Sequence, residues 1–399
     1  MVGTLAQQAE PHHEAEFAVP ATASLFERQP RVLKHGDTFA VLDGYGDIVS
    51  RESGTDGLYH ADTRYLSRLQ LLLNGRRPLL LSSTVQDNNA VLTVDLTNPE
   101  IFSATADLPR DTLHVVRSKF LWQAACYERI AVRNFGDRPL RIELDLLYAS
   151  DFADLFEVRG ARRPRRGRLT IAIVKPDSVI FSYAGLDDVM RHTRLSFDPA
   201  PDTLQPEFAR FVIHLAPGER KAVLLSARYG EGEAPAADAR RFFVSLRQAR
   251  RALVESASRA ASVETANQAF NEVAQRSMAD LSMLMTDTSH GPYPYAGIPW
   301  FSTAFGRDGI ITALELLWLD PEIAKGVLHY LAATQARERN AEADAEPGKI
   351  LHETRGGEMA RLGEVPFRLY YGSVDATPLF VVLAGQYFER TGEIGRAHV

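Results

Sequence analysis

From Arg31 to about Tyr229 the apolar residues come in short runs separated by turn residues. Arg141-Ile142-Glu143-Leu144-Asp145-Leu146 alternates with period two, which gives a strand one buried and one wet face. Asp43-Gly44-Tyr45-Gly46 is turn chemistry between two apolar runs, and Asn74-Gly75 is the strongest short hairpin signal in the chain. Phe211–Leu215, Pro217-Gly218 and Ala222–Leu225 read as a further hairpin. Many short strands with no helices between them predict an antiparallel β-sandwich.

After a Gly/Ala/Pro/acidic linker at Glu231–Asp238 the period becomes helical. Phe242, Leu246, Ala249 and Leu253 recur at helical spacing, as do Phe270, Val273, Met278, Leu281 and Leu284. Ile310–Leu319, Pro321–Arg337 and Ala376–Arg390 predict further helices, with Pro321 in a first turn where an N–H would be unpaired anyway. Two long loops, Thr286–Arg307 and Asn340–Gly372, lead into helix starts. Loops of about 20 to 30 residues are uncommon in compact domains and are often functional. The expected organisation is a disordered tail at 1–22, a β-sandwich at 23–235, a linker helix at 236–263 and helical hairpins at 264–399.

Composition acts mainly by exclusion. A chain of 399 residues allows two or three domains, and 45% hydrophobic with 24% charged residues is ordinary for a soluble globular protein. The formal net charge of −6 argues against nucleic acid as a partner and leaves a neutral substrate such as a sugar open. Cys126 is the single cysteine, so no intramolecular disulfide can form, and no Cys/His cluster has zinc spacing. Neither a metal nor a cofactor is expected. Met1–Ala18 lacks the basic and apolar regions of a secretory signal, and no apolar run approaches the ~18 residues needed to span a bilayer. A cytoplasmic protein with no membrane partner is expected. The final run Glu-Ile-Gly-Arg-Ala-His-Val can be encoded by codons that resemble a sequencing-library adapter. The natural sequence is therefore expected to leave this one near Thr391 or Gly392 and to continue further.

The candidate chemistry sits at the ends of the two loops. The first ends in Trp300-Phe301-Ser302-Thr303-Ala304-Phe305-Gly306-Arg307-Asp308 behind Tyr293 and Tyr295. Aromatic faces stack on pyranose rings, while Arg and Asp bind vicinal hydroxyls. Asp308 could equally be a helix cap. The second ends in Tyr370-Tyr371-Gly372-Ser373-Val374-Asp375-Ala376. Here Ser373 could cap, and Asp375 could serve the helix dipole or act as a general acid, provided its pKa is raised. Glu353, Glu358 and Glu364 are further carboxylates in the same loop. Arg159–Arg168 reads as a solvated loop or an anion site.

Gly57–Ser67 and Ala149–Gly160 resemble signatures of the N-terminal domain of bacterial glycogen-debranching-type proteins. Gly297–Asp308 is similar to the GxPxFxxxxGRD region of amylo-alpha-1,6-glucosidases, and Ser373–Pro378 resembles the acid-bearing segment of six-hairpin hydrolases such as trehalases and mannosylglycerate hydrolases. The resemblance spans about Arg31 to Arg390. It implies a fold of an N-terminal antiparallel β-sandwich followed by a truncated (α/α)6 toroid, and an inverting hydrolysis of an α-glucoside. It assigns Asp375 as the general acid, Arg307 and Asp308 as holders of the terminal sugar, and Trp300, Phe301 and Tyr371 as pocket walls. The general base it implies is a Glu on a later toroid helix, so this chain alone is expected to be inactive. Asp62 and Arg64 are expected to serve in a buried ion pair or in turn contacts between domains. A glycosylglycerate hydrolase, a phosphorolytic enzyme and a non-catalytic carbohydrate-binding protein remain open. Linkage, chain length and oligomeric state have no signal.

Overall fold

The computed structural model describes residues 30–49, 54–103, 106–234, 239–257, 261 and 263–393. The expected tail at 1–22 and all but the first residue of the unusual C-terminal run lie outside the described residues.

Three large antiparallel sheets and one two-stranded pair, Ile101–Ser103 with Ala106–Leu108, make up the β region. Two of them form the sandwich. A nine-stranded sheet is built around Leu113–Leu121, Ala125–Asn134, Met190–Asp198 and Arg220–Glu231, and a five-stranded sheet around Arg68–Leu73, Leu140–Ala149 and Phe208–Leu215. Leu92, Val94, Leu96, Ile130 and Val132 from one meet Ile142, Leu144, Leu146, Phe211 and Ile213 from the other in a single buried core. The alternation at Arg141–Leu146 matches this arrangement, since Ile142, Leu144 and Leu146 are inward.

The third sheet contains Arg31–His35, Thr38–Leu42, Gly57–His60, Thr63–Leu66 and Ala153-Asp154. Every residue of Thr38–Leu42 is buried, because this sheet is covered on both faces. Ala40, Leu42 and Leu58 face the sandwich core, whereas Phe39, Val41 and Tyr59 face Leu155, Ile298 and Trp300. It is the plate between sandwich and helices.

At two expected hairpins the turn forms, but the strands on either side of it do not pair with each other. Asn74 and Gly75 take φ of 45° and 74°, and Leu73 and Arg76 exchange both backbone hydrogen bonds, as a tight two-residue turn requires. The strand before the turn nevertheless belongs to the five-stranded sheet and the strand after it to the nine-stranded one. The expected hairpin at Phe211–Leu225 fails in the same way: Phe208–Leu215 pairs with Leu140–Ala149, while Arg220–Glu231 pairs with Ala125–Asn134. Both turns carry the chain across the sandwich.

A charged cluster that no strand period predicts lies inside the sandwich. Arg117 donates to Glu128 at 2.7 Å and also to Asp47, and Lys119 pairs with Glu128, all four side chains being at most 1% exposed. The charges cancel two against two, which is the condition for keeping them out of water.

The described helices are α1 (Leu155–Val158), α2 (Phe242–Ala257), α3 (Gln268–Leu284), α4 (Gly306–Leu316), α5 (Pro321–Ala333), α6 (Glu358–Arg361) and α7 (Ala376–Thr391). Helix α2 lays Phe242 and Ala249 on Phe120 and Tyr127 of the nine-stranded sheet. Helices α4, α5 and α7 share a second core through Ile310, Ala313, Val327, Leu331, Phe380 and Leu383. Pro321 opens α5 with Asp320 as the cap, accepting from the Glu322 N–H at 3.1 Å. Helix α5 stops at Ala333 rather than Arg337, and Phe270 and Val273 of α3 face outward, with only Met278 and Leu281 of that stripe packed. Among the described residues no helix is long and apolar enough to cross a membrane.

Candidate active site

The two long loops are short of regular structure but firmly held. The first begins as a hairpin, Met285–Thr288 with Gly291–Pro294. Tyr293 is fully buried there, and its hydroxyl donates to the Phe305 carbonyl at 2.9 Å, anchoring the end of the loop. Gly297 and Phe301 exchange backbone hydrogen bonds, so Ile298–Trp300 projects as a small knuckle against the β plate. In the second loop Glu353 bridges Phe305 on one side and Tyr370 on the other. The His352 carbonyl accepts from the Gly306 N–H at 2.9 Å, the first N–H of α4. The loops thus cross each other at the helix starts.

This crossing brings Arg307 and Asp375 together. Arg307 Nη1 donates to Asp375 Oδ2 at 3.2 Å, with both side chains more than a third exposed. Ser373 donates to the other Asp375 oxygen and accepts from the Ala376 N–H, so it supplies the cap of α7. The Ser373 hydroxyl, followed by the Arg307 guanidinium, holds the Asp375 carboxyl below the usual carboxylate range. Asp308 is not the cap of α4, a place taken by Phe305; it stands in the first turn and faces a cleft. The cleft, of about 210 Å³, is lined by Arg307, Asp308, Ile311, Tyr295 and the end of α3.

The other candidates are placed differently. Phe301 is 47% exposed, edge-on to Phe305. Trp300 packs on the β plate with the Arg159 guanidinium over its ring, and does not line the cleft. Tyr371 belongs to the helical core, and its hydroxyl is committed to the Thr334 carbonyl at 2.7 Å. The expectation of one pocket walled by Trp300, Phe301 and Tyr371 is therefore corrected. Composition cannot tell an aromatic that supports a loop from one that faces a ligand. Among the described residues no group of three or more His, Cys, Asp and Glu side chains could hold a metal ion.

Sequence reasoning expects the Asp62 turn to make contacts between domains, which it does, but misses how many other residues of the β region grip the two loops. Lys34 donates to Thr286 Oγ1 at 2.7 Å, and Asp37 accepts from the Tyr295 hydroxyl at 2.6 Å. Asp62 accepts from Arg355 at 3.1 Å and from the Gly356 N–H at 2.9 Å. Asp154 caps α1 and also accepts from the Met359 N–H; burial pushes its carboxyl up to about 6. Glu358 accepts from Arg163, Tyr183 and the Leu186 N–H. Burial pushes Glu358 up, but those donors outweigh it and hold it below the ordinary value. The stretch Arg159–Arg168 is largely exposed, as a solvated loop is, but three of its arginines have partners. Arg163 pairs with Glu358 and Glu364, Arg166 pairs with Glu157, and Arg159 covers Trp300.

Residues 33–226 match the family described as the N-terminal domain of (some) glycogen debranching enzymes. A search of curated proteins finds no sequence match. Among solved structures, a candidate kojibiose phosphorylase from the human microbiome is similar at a TM-score of 0.59 and 10% identity, over 90% of this chain and 53% of that one. A bacterial glucoamylase complexed with acarbose is similar at 0.53 and 10% identity, over 91% of this chain and 56% of that one. The chain spans about half the length of these structures. At such identity the likeness shows the fold: an antiparallel β-sandwich leading into helical hairpins of the six-hairpin glycosidase type.

Proposed function

We propose, for a chain whose residues 33–226 carry the N-terminal domain of (some) glycogen debranching enzymes, an inverting hydrolysis of α-glucosidic bonds, foremost the α-1,6 links of glycogen-like or short α-glucans in the cytoplasm. The observation that supports this best is the meeting of Arg307 and Asp375 from two helix starts beside the Asp308 cleft. Asp375 is assigned as general acid. Its carboxyl is low in the free protein, so a bound sugar must exclude water and draw Arg307 onto its own hydroxyls, which removes one lowering contact and raises the pKa toward a protonated acid. Arg307 and Asp308 would then hold vicinal hydroxyls, and the open ring of Phe301 would take an apolar sugar face. Trp300 and Tyr371 would fix the loops from behind. Inversion also needs a base about 6.5–9.5 Å away across the sugar, which the resemblance assigns to a Glu of a later toroid helix.

The test is glucose release from panose and from glycogen limit dextrin by the full-length protein, with the anomer followed by NMR. Release of β-glucose without phosphate supports the reading. No release from any α-glucoside overturns it, and release that requires inorganic phosphate replaces it with phosphorolysis.

A further inference from the structure

We propose that Asp62, a residue of the β plate, is a positioning residue for the carbohydrate site on the helices; this rests on the reading of that site given above. Asp62 stands at the tip of the turn joining Gly57–His60 to Thr63–Leu66. Ala61 and Asp62 have φ of 44° and 64°, a left-handed pair in which Ala is rarely found. The turn is held from both sides: the Ala61 N–H donates to the Asp37 carbonyl, and the Leu155 N–H donates to the Asp62 carbonyl. Its product is a fixed carboxylate aimed out of the plate.

That carboxylate takes Arg355 Nη1 on one oxygen and the Gly356 N–H on the other. Arg355 is 1% exposed at its side chain and spends its remaining donors on the two loops. Nε reaches Glu353 at 2.7 Å, and Nη2 reaches the Trp300 carbonyl at 2.7 Å. Glu353 is in turn bridged to Phe305 and Tyr370, which lie just before Arg307 and Asp375 in sequence. One carboxylate of the β plate therefore sets both site loops through one guanidinium. The fit leaves no slack, because a Cβ on Gly357 would lie 2.4 Å from the Asp154 carboxylate.

Charge balance argues that this contact is there for geometry. Glu353 alone neutralises Arg355, so Asp62 adds a second buried carboxylate. Buried ion clusters are weak sources of stability, and orientation is the property they can supply.

The test is Asp62→Asn. Asn tolerates the left-handed turn, so the change removes the charge and keeps the backbone. Asp151→Asn is the control, since Asp151 pairs with Arg64 wholly inside the β region. In the 399-residue chain, Trp122 and Trp318 are replaced by Phe so that Trp300 alone reports. Acrylamide quenching of Trp300 should rise about twofold in Asp62→Asn and stay unchanged in Asp151→Asn. In the full-length protein, Asp62→Asn should lower kcat/KM for panose by at least ~10-fold, below the ~10²-fold that a 1 Å misplacement can cost, with part of the loss in kcat because Asp375 moves with its loop. Wild-type quenching in Asp62→Asn overturns the proposal, and so do equal shifts in both variants. If wild type cleaves no α-glucoside, the functional reading fails and the quenching comparison alone decides whether Asp62 positions the loops.

Discussion

The carbonyl oxygen of Leu351 lies 1.8 Å from where a Cβ on Gly306 would stand. The second loop crosses the start of α4 at this point, and only a residue without a side chain lets it pass. Because the obstacle is backbone, the neighbour cannot rotate away. Gly306→Ala should destabilise by about 3 kcal/mol, the upper end for overpacking, and should separate Arg307 from Asp375. Urea unfolding measures the first effect. The Ser373 and Asp375 chemical shifts, unchanged from wild type, would show that the loop had moved without disturbing the site.

Asp375→Asn keeps the shape, turns one of the two acceptor oxygens into a donor and removes the titrating proton. It should lower kcat for α-glucoside cleavage by at least ~10²-fold with sugar binding largely intact. Asp308→Asn should weaken binding and turnover together, since Asp308 is assigned to sugar hydroxyls and faces the cleft. Steady-state glucose release by the full-length variants separates the two patterns.

Arg163 binds Glu358 at 3.0 Å and Glu364 at 2.6 Å across the boundary between β region and second loop. Arg163→Ala would leave Glu358, 2% exposed, short of its main counter-charge. Stability should fall by about 3–5 kcal/mol. Adding Glu358→Gln removes the stranded charge, so the double variant should lose less than the sum of the two single losses. Additive losses in urea titrations would mean that the pair does not act as a unit.

Lys34 is buried against Thr286 and over the Tyr295 ring, and burial lowers its pKa to about 7, partly offset by Asp37. Below pH 7 the folded and unfolded forms both carry the charge, and the folded form bears the full cost of burying it. Between pH 7 and about 10.5 the folded lysine gives up its proton while the unfolded one keeps it, so stability rises with pH. Relative to Lys34→Met, wild type should gain up to ~5 kcal/mol across that window. Guanidinium unfolding of both proteins at several pH values checks it; a difference constant with pH would place the Lys34 pKa near its ordinary value.

Local signals served where the structure is local. The change of period after Asp238, the helix start at Pro321 and the two loops ending at Arg307 and Asp375 could all be read from neighbouring residues, and the structure brings Arg307 and Asp375 into contact. What failed depends on distant partners. The turn at Asn74-Gly75 is encoded in two residues, but the sheet its next strand joins is decided by packing across the sandwich. Glu358 looks like loop surface until Arg163, 195 residues earlier, is found against it. Lys119 and Arg117 fall on an inward strand face that only Asp47 and Glu128 make tolerable. Tyr371 and Phe301 are equivalent as letters, and one is core while the other is open.

The turns that cross the sandwich also constrain how the protein can be made. Ala125 is paired with Arg228, and Arg68 with Ala149, so strands wait for partners that leave the ribosome much later. Loop closure over such distances is slow, and unpaired strand edges stay open meanwhile. The nine-stranded sheet gains its Arg220–Glu231 strand only when nearly all of the β region has been synthesised. A nascent chain halted before that point would present the edge of Ala125–Asn134 to its neighbours, which makes the pace of translation through residues 135–219 a determinant of yield.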